Sequence, residues 1–464
     1  MAIKVGLASL GCAKNLVDSE LILGFLREGG IEVCEDLGEA EVAIVNTCAF
    51  IAEAERESAG IIRRLEGLKS QGLIGRIVVA GCLPARRGSR VGGRFPGVDR
   101  VIRQADIPHV AAIVRSLGSG PRGAAAVPAA GQYLYDHSDP RLRLTPPHYA
   151  YLKIGEGCDN RCSYCLIPSI RGPFRSRSPA SVLEEARLLV EGGARELNLI
   201  AQDSTAFGSD RPGGEGLAPL LVRMARIRGA RWIRLLYGHP ARYTDALLRV
   251  IAGEEKICRY VDFPLQHISD RVLSAMRRRM TKAQIVDRLA RVRRLVPGVT
   301  VRTVFIVGFP GETDKEFEEL LDFVRGARFE RLGAFAYSRE AGTDAARLDG
   351  HLPARVKRER LRRLMSLQRE IVREQNEEML GRTTAVMVDE RIEGSFQLRG
   401  RTAGDAPEVD GTVYLTGGEA SPGEIVAARI TGMMEYDLVG EITGRRRTAR
   451  GLPPRGDRRA RGER

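Results

Sequence analysis

A chain of 464 residues is too long for one ordinary domain, and its 43% apolar and 28% charged content is that of a globular protein with a sizeable core. No run approaches the roughly 18 uninterrupted apolar residues of a membrane span, and the start, MAIKVGLASLGCAKN, has an early Lys4 and no small-residue cleavage site, so it reads as a strand and not a signal peptide. Eight cysteines are too few for a disulfide scaffold of this size and point to a reducing, cytoplasmic setting with metal-binding thiols.

Residues 1–117 alternate strand and helix signals: IKVGLASL, EVAIVNT and RIVVAG are short and rich in Val and Ile, and Asn15 to Leu26 has apolar residues at helical spacing, closed by Gly29-Gly30. This predicts an α/β unit with a parallel sheet. Residues 118–147 begin with GSGPRGAAAVPAAG and read as a linker. Over 148–376 the strand–helix theme repeats about six times, with strands YAYLKIG, ELNLIAQ, WIRLLY, YVDFPLQ, VTVRTVFIVGF and RLGAFAYS, which predicts all or part of a β/α barrel. Residues 377–445 lose the helical pattern, and pieces such as TTAVMVDE, TVYLTG and EIVAARIT between Gly-rich turns predict a small β-barrel. The net charge of +14 is uneven: residues 445–464 carry nine arginines against Asp457 and Glu463, half of the excess, and 446–464 read as a basic, disordered, solvated tail.

The most informative segment is KIGEGCDNRCSYCLIPSIRGP, with Cys158, Cys162 and Cys165 as C-x-x-x-C-x-x-C. Three thiolates can hold a soft metal centre and leave one position for something else. Cys162-Ser-Tyr-Cys165 alone would serve equally as a thiol–disulfide pair or half a zinc site. A second set is dispersed: Cys12 in SLGCAKN, Cys48 in IVNTCAF and Cys82 in VVAGCLP each follow a predicted strand, and strand ends of an open α/β sheet converge on one crevice. These three are expected to form a second metal site, approached closely by backbone at Gly11 and Gly81; three buried structural cysteines are the competing reading. Cys34 and Cys258, inside strand-like contexts, are assigned to structure.

The triplet around Tyr164 resembles the radical S-adenosylmethionine (SAM) enzymes, in which three cysteines bind a 4Fe–4S cluster whose fourth iron binds SAM. With SLGCAKNLVDSE, FPLQHIS and FIVGFPGET added, residues 3–445 resemble the methylthiotransferase family, closest in pattern to its RimO type. The resemblance implies an N-terminal methylthiotransferase domain with a second 4Fe–4S cluster on Cys12, Cys48 and Cys82, a central radical-SAM partial barrel, and a C-terminal TRAM domain. It implies that one cluster cleaves SAM to a radical that takes hydrogen from the β-carbon of an aspartate in the twelfth small-subunit ribosomal protein. Sulfur then arrives through the second cluster and the methyl group from a second SAM, with a sulfur donor and an electron donor as further partners. Tyr164 is placed by it at the adenine, and Gln202 and Asp203 at the methionine amino group; the last two read equally as a turn or helix cap. No acid–base catalytic residue is assigned. An unactivated C–H bond is beyond any side-chain base, so a cofactor must carry the chemistry. His267 is left as structural. GFPGET lacks the Lys-Ser/Thr of a phosphate loop and reads as the turn after a barrel strand, at the SAM ribose if it meets the cofactor.

Residues 377–445 hold thirteen acidic residues, six arginines and no lysine. A module that binds nucleic acid must neutralise phosphates, so this balance of −7 disfavours tRNA and suits a basic ribosomal protein. The alternatives are methylthiolation of a tRNA adenosine, as in the MiaB type, and a non-enzymatic iron–sulfur carrier, which would need neither a barrel nor a SAM site.

Overall fold

The computed structural model describes residues 3–88, 90–117, 133–394 and 396–445. The N-terminal unit is a five-stranded, all-parallel sheet of β1 (Lys4–Ser9), β2 (Glu32–Cys34), β3 (Val42–Thr47), β4 (Arg76–Gly81) and β5 (Arg100–Val101), in the order β2-β1-β3-β4-β5. Every residue of β3 is buried, which is why Val-Ala-Ile-Val-Asn-Thr shows no alternation: helices cover both faces of a parallel sheet. Helices α1 (Ala13–Glu28), which ends at Gly29 as expected, and α2 (Ala52–Ser70) follow β1 and β3. The order reverses between β1 and β3, and the crevice at that switch lies beyond the carboxyl ends of the strands.

All six predicted barrel strands form. A parallel sheet of β6 (Tyr149–Lys153), β9 (Glu196–Ile200) and β10 (Trp232–Leu235) is followed by one of β11 (Tyr260–Asp262), β12 (Thr300–Val307) and β13 (Arg331–Ala336). A bridge between Ile233 and Ile257 joins them, and no pairing closes β6 on β13 among the described residues, so the barrel is partial. The short antiparallel pair β7 (Gly155–Glu156) and β8 (Arg175–Ser176) brackets the cysteine loop. One core fills the barrel and its helices, from Ala150 and Leu152 through Ile233 and Val261 to Phe305. The helix Ala354–Glu377 packs against β13.

The last strands, β14 (Thr383–Arg391), β15 (Leu398–Thr402), β16 (Val413–Thr416), β17 (Ile425–Met433) and β18 (Leu438–Arg445), close in the order β14-β15-β16-β18-β17. This module caps the amino ends of the barrel strands. Asp389 bonds His148 just before β6 (2.9 Å), Glu408 accepts from Tyr149 (2.9 Å), Arg401 donates to Glu196 at the start of β9 (2.8 Å), and Asp410 accepts from Tyr260 at the start of β11 (2.6 Å). Asp405 pairs with Arg331 at the start of β13. Four of the thirteen acidic residues counted in the sequence are therefore engaged by residues of the barrel, and the free acidity of the module is less than −7 suggests.

Residues 133–147, the later part of the stretch read as a linker, pack tightly: Tyr135 is buried, and Arg141 joins Glu20 of α1 (2.5 Å) to Glu185 (2.6 Å). Residues 118–132 and the arginine-rich tail 446–464 lie outside the described residues. Among the described residues no helix is long and apolar enough to cross a membrane.

Candidate functional site

Cys158, Cys162 and Cys165 lie in the loop that leaves the carboxyl end of β6, where barrel enzymes place their chemistry. The loop is fixed from several sides. The Cys158 amide donates to Gly172 (3.1 Å), the Cys165 amide to the Cys162 carbonyl (3.1 Å), and the Ile167 amide points at the Cys165 sulfur (3.4 Å). Asn160 Nδ2 donates to Asp203 (2.9 Å), tying the loop to the end of β9, and Arg278 reaches the Cys162 sulfur (3.5 Å) while anchored on the Pro264 carbonyl (2.7 Å). Burial pushes the Cys158 thiol up to about 11 and the Cys165 thiol to about 12, and the neighbouring thiolates add to both. A polycationic iron centre removes both penalties at once, so the donor set fits one.

The second set converges as the strand-end argument expects. Cys12, Cys48 and Cys82 follow β1, β3 and β4, and their thiols lie close enough to perturb one another. Gly11 has φ +92°, and a Cβ there would stand 2.7 Å from the Cys48 Cβ; one on Gly81 (φ +87°) would stand 2.4 Å from the Thr47 carbonyl oxygen. Both glycines are thus required for strand ends to meet this closely. Asn15 Nδ2 donates to the Leu10 carbonyl (2.6 Å), Asn46 Nδ2 returns to the Asn15 carbonyl (2.8 Å), and Ser58 Oγ both accepts from the Cys48 amide (3.1 Å) and donates to its carbonyl (2.7 Å). Burial pushes Cys48 to about 11 and raises Cys82. Cys12 goes the other way: burial opposes ionisation, but Lys14, the Asn15 amide and Arg171 together outweigh it. Among the described residues no group of three or more His, Cys, Asp or Glu side chains is drawn around one ion position. A cubane makes a different demand, one thiolate per iron.

The segment that follows the central cysteine loop packs on the N-terminal domain across a seam held by buried charges. Lys153 at the end of β6 donates to Asp18 of α1 (2.5 Å) and to Glu156 (2.9 Å). Arg171, six residues past Cys165, donates to Asp18 (2.6 Å) and Asn15 (3.2 Å) and reaches the Cys82 sulfur (3.5 Å). Gln104 and Gln202 both donate to Glu156, at 2.7 and 2.6 Å. Burial alone would raise Glu156, but Lys153 and Arg171 hold it well below the ordinary carboxylate range. A cavity of about 400 Å³ opens at this seam, lined by Asp18, Asn46, Gly81, Gln104 and Arg171 among others. On the far side Arg86 pairs with Glu340 (2.7 Å), whose other oxygen accepts from the Ala52 amide at the start of α2 (2.7 Å).

The structure separates Gln202 from Asp203. Asp203 is buried and saturated by Asn160, by Thr205 (2.5 Å) and by Arg242 (3.4 Å), which supports its role as a fixing point at the turn. Gln202 instead leaves its Oε1 buried with no partner, an acceptor open to a donor from a ligand. Tyr164 is half-buried against the cluster of Val272, Met276, Phe309 and Tyr337. His267 is wholly buried, accepts from the Ser269 amide (3.1 Å) and is pushed down to about 4 by burial, a structural histidine. In GFPGET the Glu312 carboxylate accepts from the Gly308 amide (2.7 Å) and is held by Arg360 (2.7 Å), so the turn is locked to the long helix. All eight cysteines are free thiols, Cys258 buried and Cys34 half-buried. Sequence reasoning missed Arg171, Arg278, Lys14 and Asn15. Two of them stood in SLGCAKN and one in SIRGP, inside the quoted motifs, but only the fold shows that Arg171 and Arg278 reach the Cys82 and Cys162 sulfurs and that Lys14 and the Asn15 amide favour the Cys12 thiolate.

Three family models match the chain in succession: "Uncharacterized protein family UPF0004" over residues 4–103, the Radical SAM superfamily over 152–324 and the TRAM domain over 380–443. The solved radical S-adenosylmethionine methyltransferase TsrM from Kitasatospora setae, with cobalamin and a [4Fe-4S] cluster bound, is similar in fold at a TM-score of 0.55 and 17% identity, covering 74% of this chain and 77% of that one. Fold and site together thus define a radical-SAM enzyme with an added N-terminal α/β domain and a terminal β-barrel. The chain is 48% identical to the "Ribosomal protein uS12 methylthiotransferase RimO" of Trichlorobacter lovleyi over 95% of its own length and 98% of the relative's, and 46% identical to that of Geobacter sulfurreducens with the same coverage. It belongs to the radical-SAM methylthiotransferase family, RimO type.

Proposed function

We propose that this protein adds a methylthio group to the β-carbon of an aspartate in ribosomal protein uS12, and that it does so with two 4Fe–4S clusters, one on Cys158, Cys162 and Cys165 and one on Cys12, Cys48 and Cys82. The observation that carries this reading is the seam between the two domains: Arg171, six residues past Cys165 of the central loop, pairs with Asp18 of the N-terminal domain and reaches the Cys82 sulfur. When bound, the clusters and SAM supply the one-electron chemistry, sulfur and methyl group that no side chain can. The chain's own residues orient and exclude. Asn160 and Asp203 hold the central loop against β9, and Arg278 places positive charge beside Cys162. Gln202 Oε1 is suited to the methionine ammonium, and the exposed part of Tyr164 to the adenine. Glu156, kept ionised, fixes Gln104 and Gln202 across the seam. The exposed acidic residues of the terminal barrel, among them Glu393 and Glu419, favour a basic protein over tRNA as partner.

The test is mass spectrometry of uS12 and of tRNA from cells lacking this chain. Loss of the methylthio group from uS12 alone is expected. Loss from tRNA with uS12 unchanged would reverse the assignment to the tRNA type.

A further inference from the structure

Lys14 breaks a rule of helix construction. It sits in the first turn of α1, where the helix dipole already presents positive charge and where no acidic side chain stands. A cation there is unfavourable, and the usual remedy is an acidic neighbour. Among the described residues its ammonium has no carboxylate within ion-pair distance; it lies instead 3.2 Å from the centre of the Tyr237 ring, across the domain seam. The nearby Asp262 is already occupied, accepting from the Tyr237 amide (2.8 Å) and from Arg302 (3.1 Å).

Tyr237 breaks a rule too. It follows β10 with φ +61°, a left-handed conformation that bulky residues adopt only under constraint and that gathers at functional sites. Arg161, Gln266, Arg277 and Arg279, four more of the non-glycine residues with positive φ, also stand in loops near this end of the barrel. Two local violations, from two domains, therefore meet at one point. That point is two residues from Cys12 and at the carboxyl end of the barrel, beyond the strand that neighbours the one carrying the Gln202 turn. Places where a sequence departs from its own local rules are expected to be functional. An ammonium over an aromatic face, beside the Cys12 thiol and with no carboxylate within ion-pair distance, added to a helix dipole, is built for a carboxylate that arrives from outside.

We propose that Lys14 binds the side-chain carboxylate of the target aspartate and thereby selects aspartate over its amide. The proposal rests on the reading of the chain as a uS12 methylthiotransferase. The anion must come within reach of both cysteine sets, and a carboxylate one bond from the reacting β-carbon meets that requirement. Tyr237 holds the ammonium at the seam until substrate enters, and the aromatic face costs little to leave.

The test uses the full-length, anaerobically reconstituted protein and two synthetic peptides spanning the uS12 target, one with the aspartate and one with asparagine in its place. A charge-assisted hydrogen bond gives the wild type a preference for the aspartate peptide of roughly 10- to 100-fold in Kd. Lys14→Met and Lys14→Gln, both tolerated at a half-exposed helix start, should bring the aspartate peptide down to the asparagine peptide and leave the latter unchanged; Lys14→Arg should retain most of the preference. An unchanged ratio would overturn the proposal. So would loss of iron from the variants, which would assign the lysine to the cysteines, or a loss of tRNA affinity with peptide binding intact. Product formation on uS12 by the wild type is read separately. Product with an unchanged ratio defeats Lys14 alone, whereas discrimination without product defeats the reaction and keeps the carboxylate site.

Discussion

Arg171→Met should open the seam between the two cysteine domains. In the wild type two buried anions, Asp18 and Glu156, face two buried cations, Lys153 and Arg171, at contacts of 2.5 to 3.6 Å. Removing the guanidinium leaves one uncompensated negative charge among buried side chains beside the seam cavity. Breaking a buried pair from one side costs about 3–5 kcal/mol. Lys153 still touches both carboxylates, so the lower end of that range is the expectation here. Because a chain of several domains does not unfold in one step, the readout is native-state hydrogen exchange at α1 and at the helix Ile167–Arg171. Exchange there should accelerate by roughly two orders of magnitude at 3 kcal/mol, with the terminal β-barrel unaffected. Arg171→Met combined with Asp18→Asn restores the charge balance and should recover most of the protection, a coupling that a double-mutant cycle isolates. Wild-type protection in Arg171→Met, or no recovery in the double variant, would refute the view that the seam is held by charge balance.

Cys48→Ala should abolish methylthiolated product and leave SAM cleavage in place, since the two cysteine sets belong to different domains; loss of SAM cleavage with the central cluster intact, assayed as 5′-deoxyadenosine, would contradict this division. Glu393→Lys with Glu419→Lys should slow association with uS12 several-fold at low salt and little at high salt, followed by stopped-flow fluorescence. Deleting the whole terminal barrel is the poorer experiment, because it strips Glu196 of its Arg401 partner and Arg331 of Asp405. Acid should loosen the seam. Burial raises Glu156 and Glu185, but their cationic neighbours Lys153, Arg171, Arg177 and Arg141 win, so both carboxyls titrate below the ordinary 4.5 in the folded protein. A depressed carboxyl contributes stability that is present above its unfolded value and lost as pH falls through its folded one. Exchange at α1 should therefore rise on acidification below about 4.5 and stay flat between 6 and 8, as measured on the same amides.

The sequence carried the six barrel strands, the N-terminal sheet and both cysteine sets because each rests on a local pattern: apolar runs bounded by turns, or thiols at strand ends. That Cys12, Cys48 and Cys82 would come near one another was readable from topology alone, since parallel strands bring their carboxyl ends together. What could not be read was which charges face inward. The acidity of residues 377–445 is a sum, and the sum does not say that Asp389, Asp405, Glu408 and Asp410 are turned onto the amino ends of the barrel. Gln202 and Asp203 looked interchangeable at a strand end; only the partners of each show that one is saturated and the other has an open acceptor. Arg171 and Lys14 were two more basic residues in a basic chain until the seam placed one beside a thiol and the other over a tyrosine from another domain.

The central claim, that one chain holds two clusters on two separate triplets, is tested most directly by iron and acid-labile sulfide analysis of anaerobically reconstituted protein. About eight irons per chain are predicted for the wild type, four per cubane, with about half remaining when Cys158, Cys162 and Cys165 are all changed to Ala and about half when Cys12, Cys48 and Cys82 are. A wild type that holds only one cluster, or zinc in place of iron at either triplet, would contradict the account.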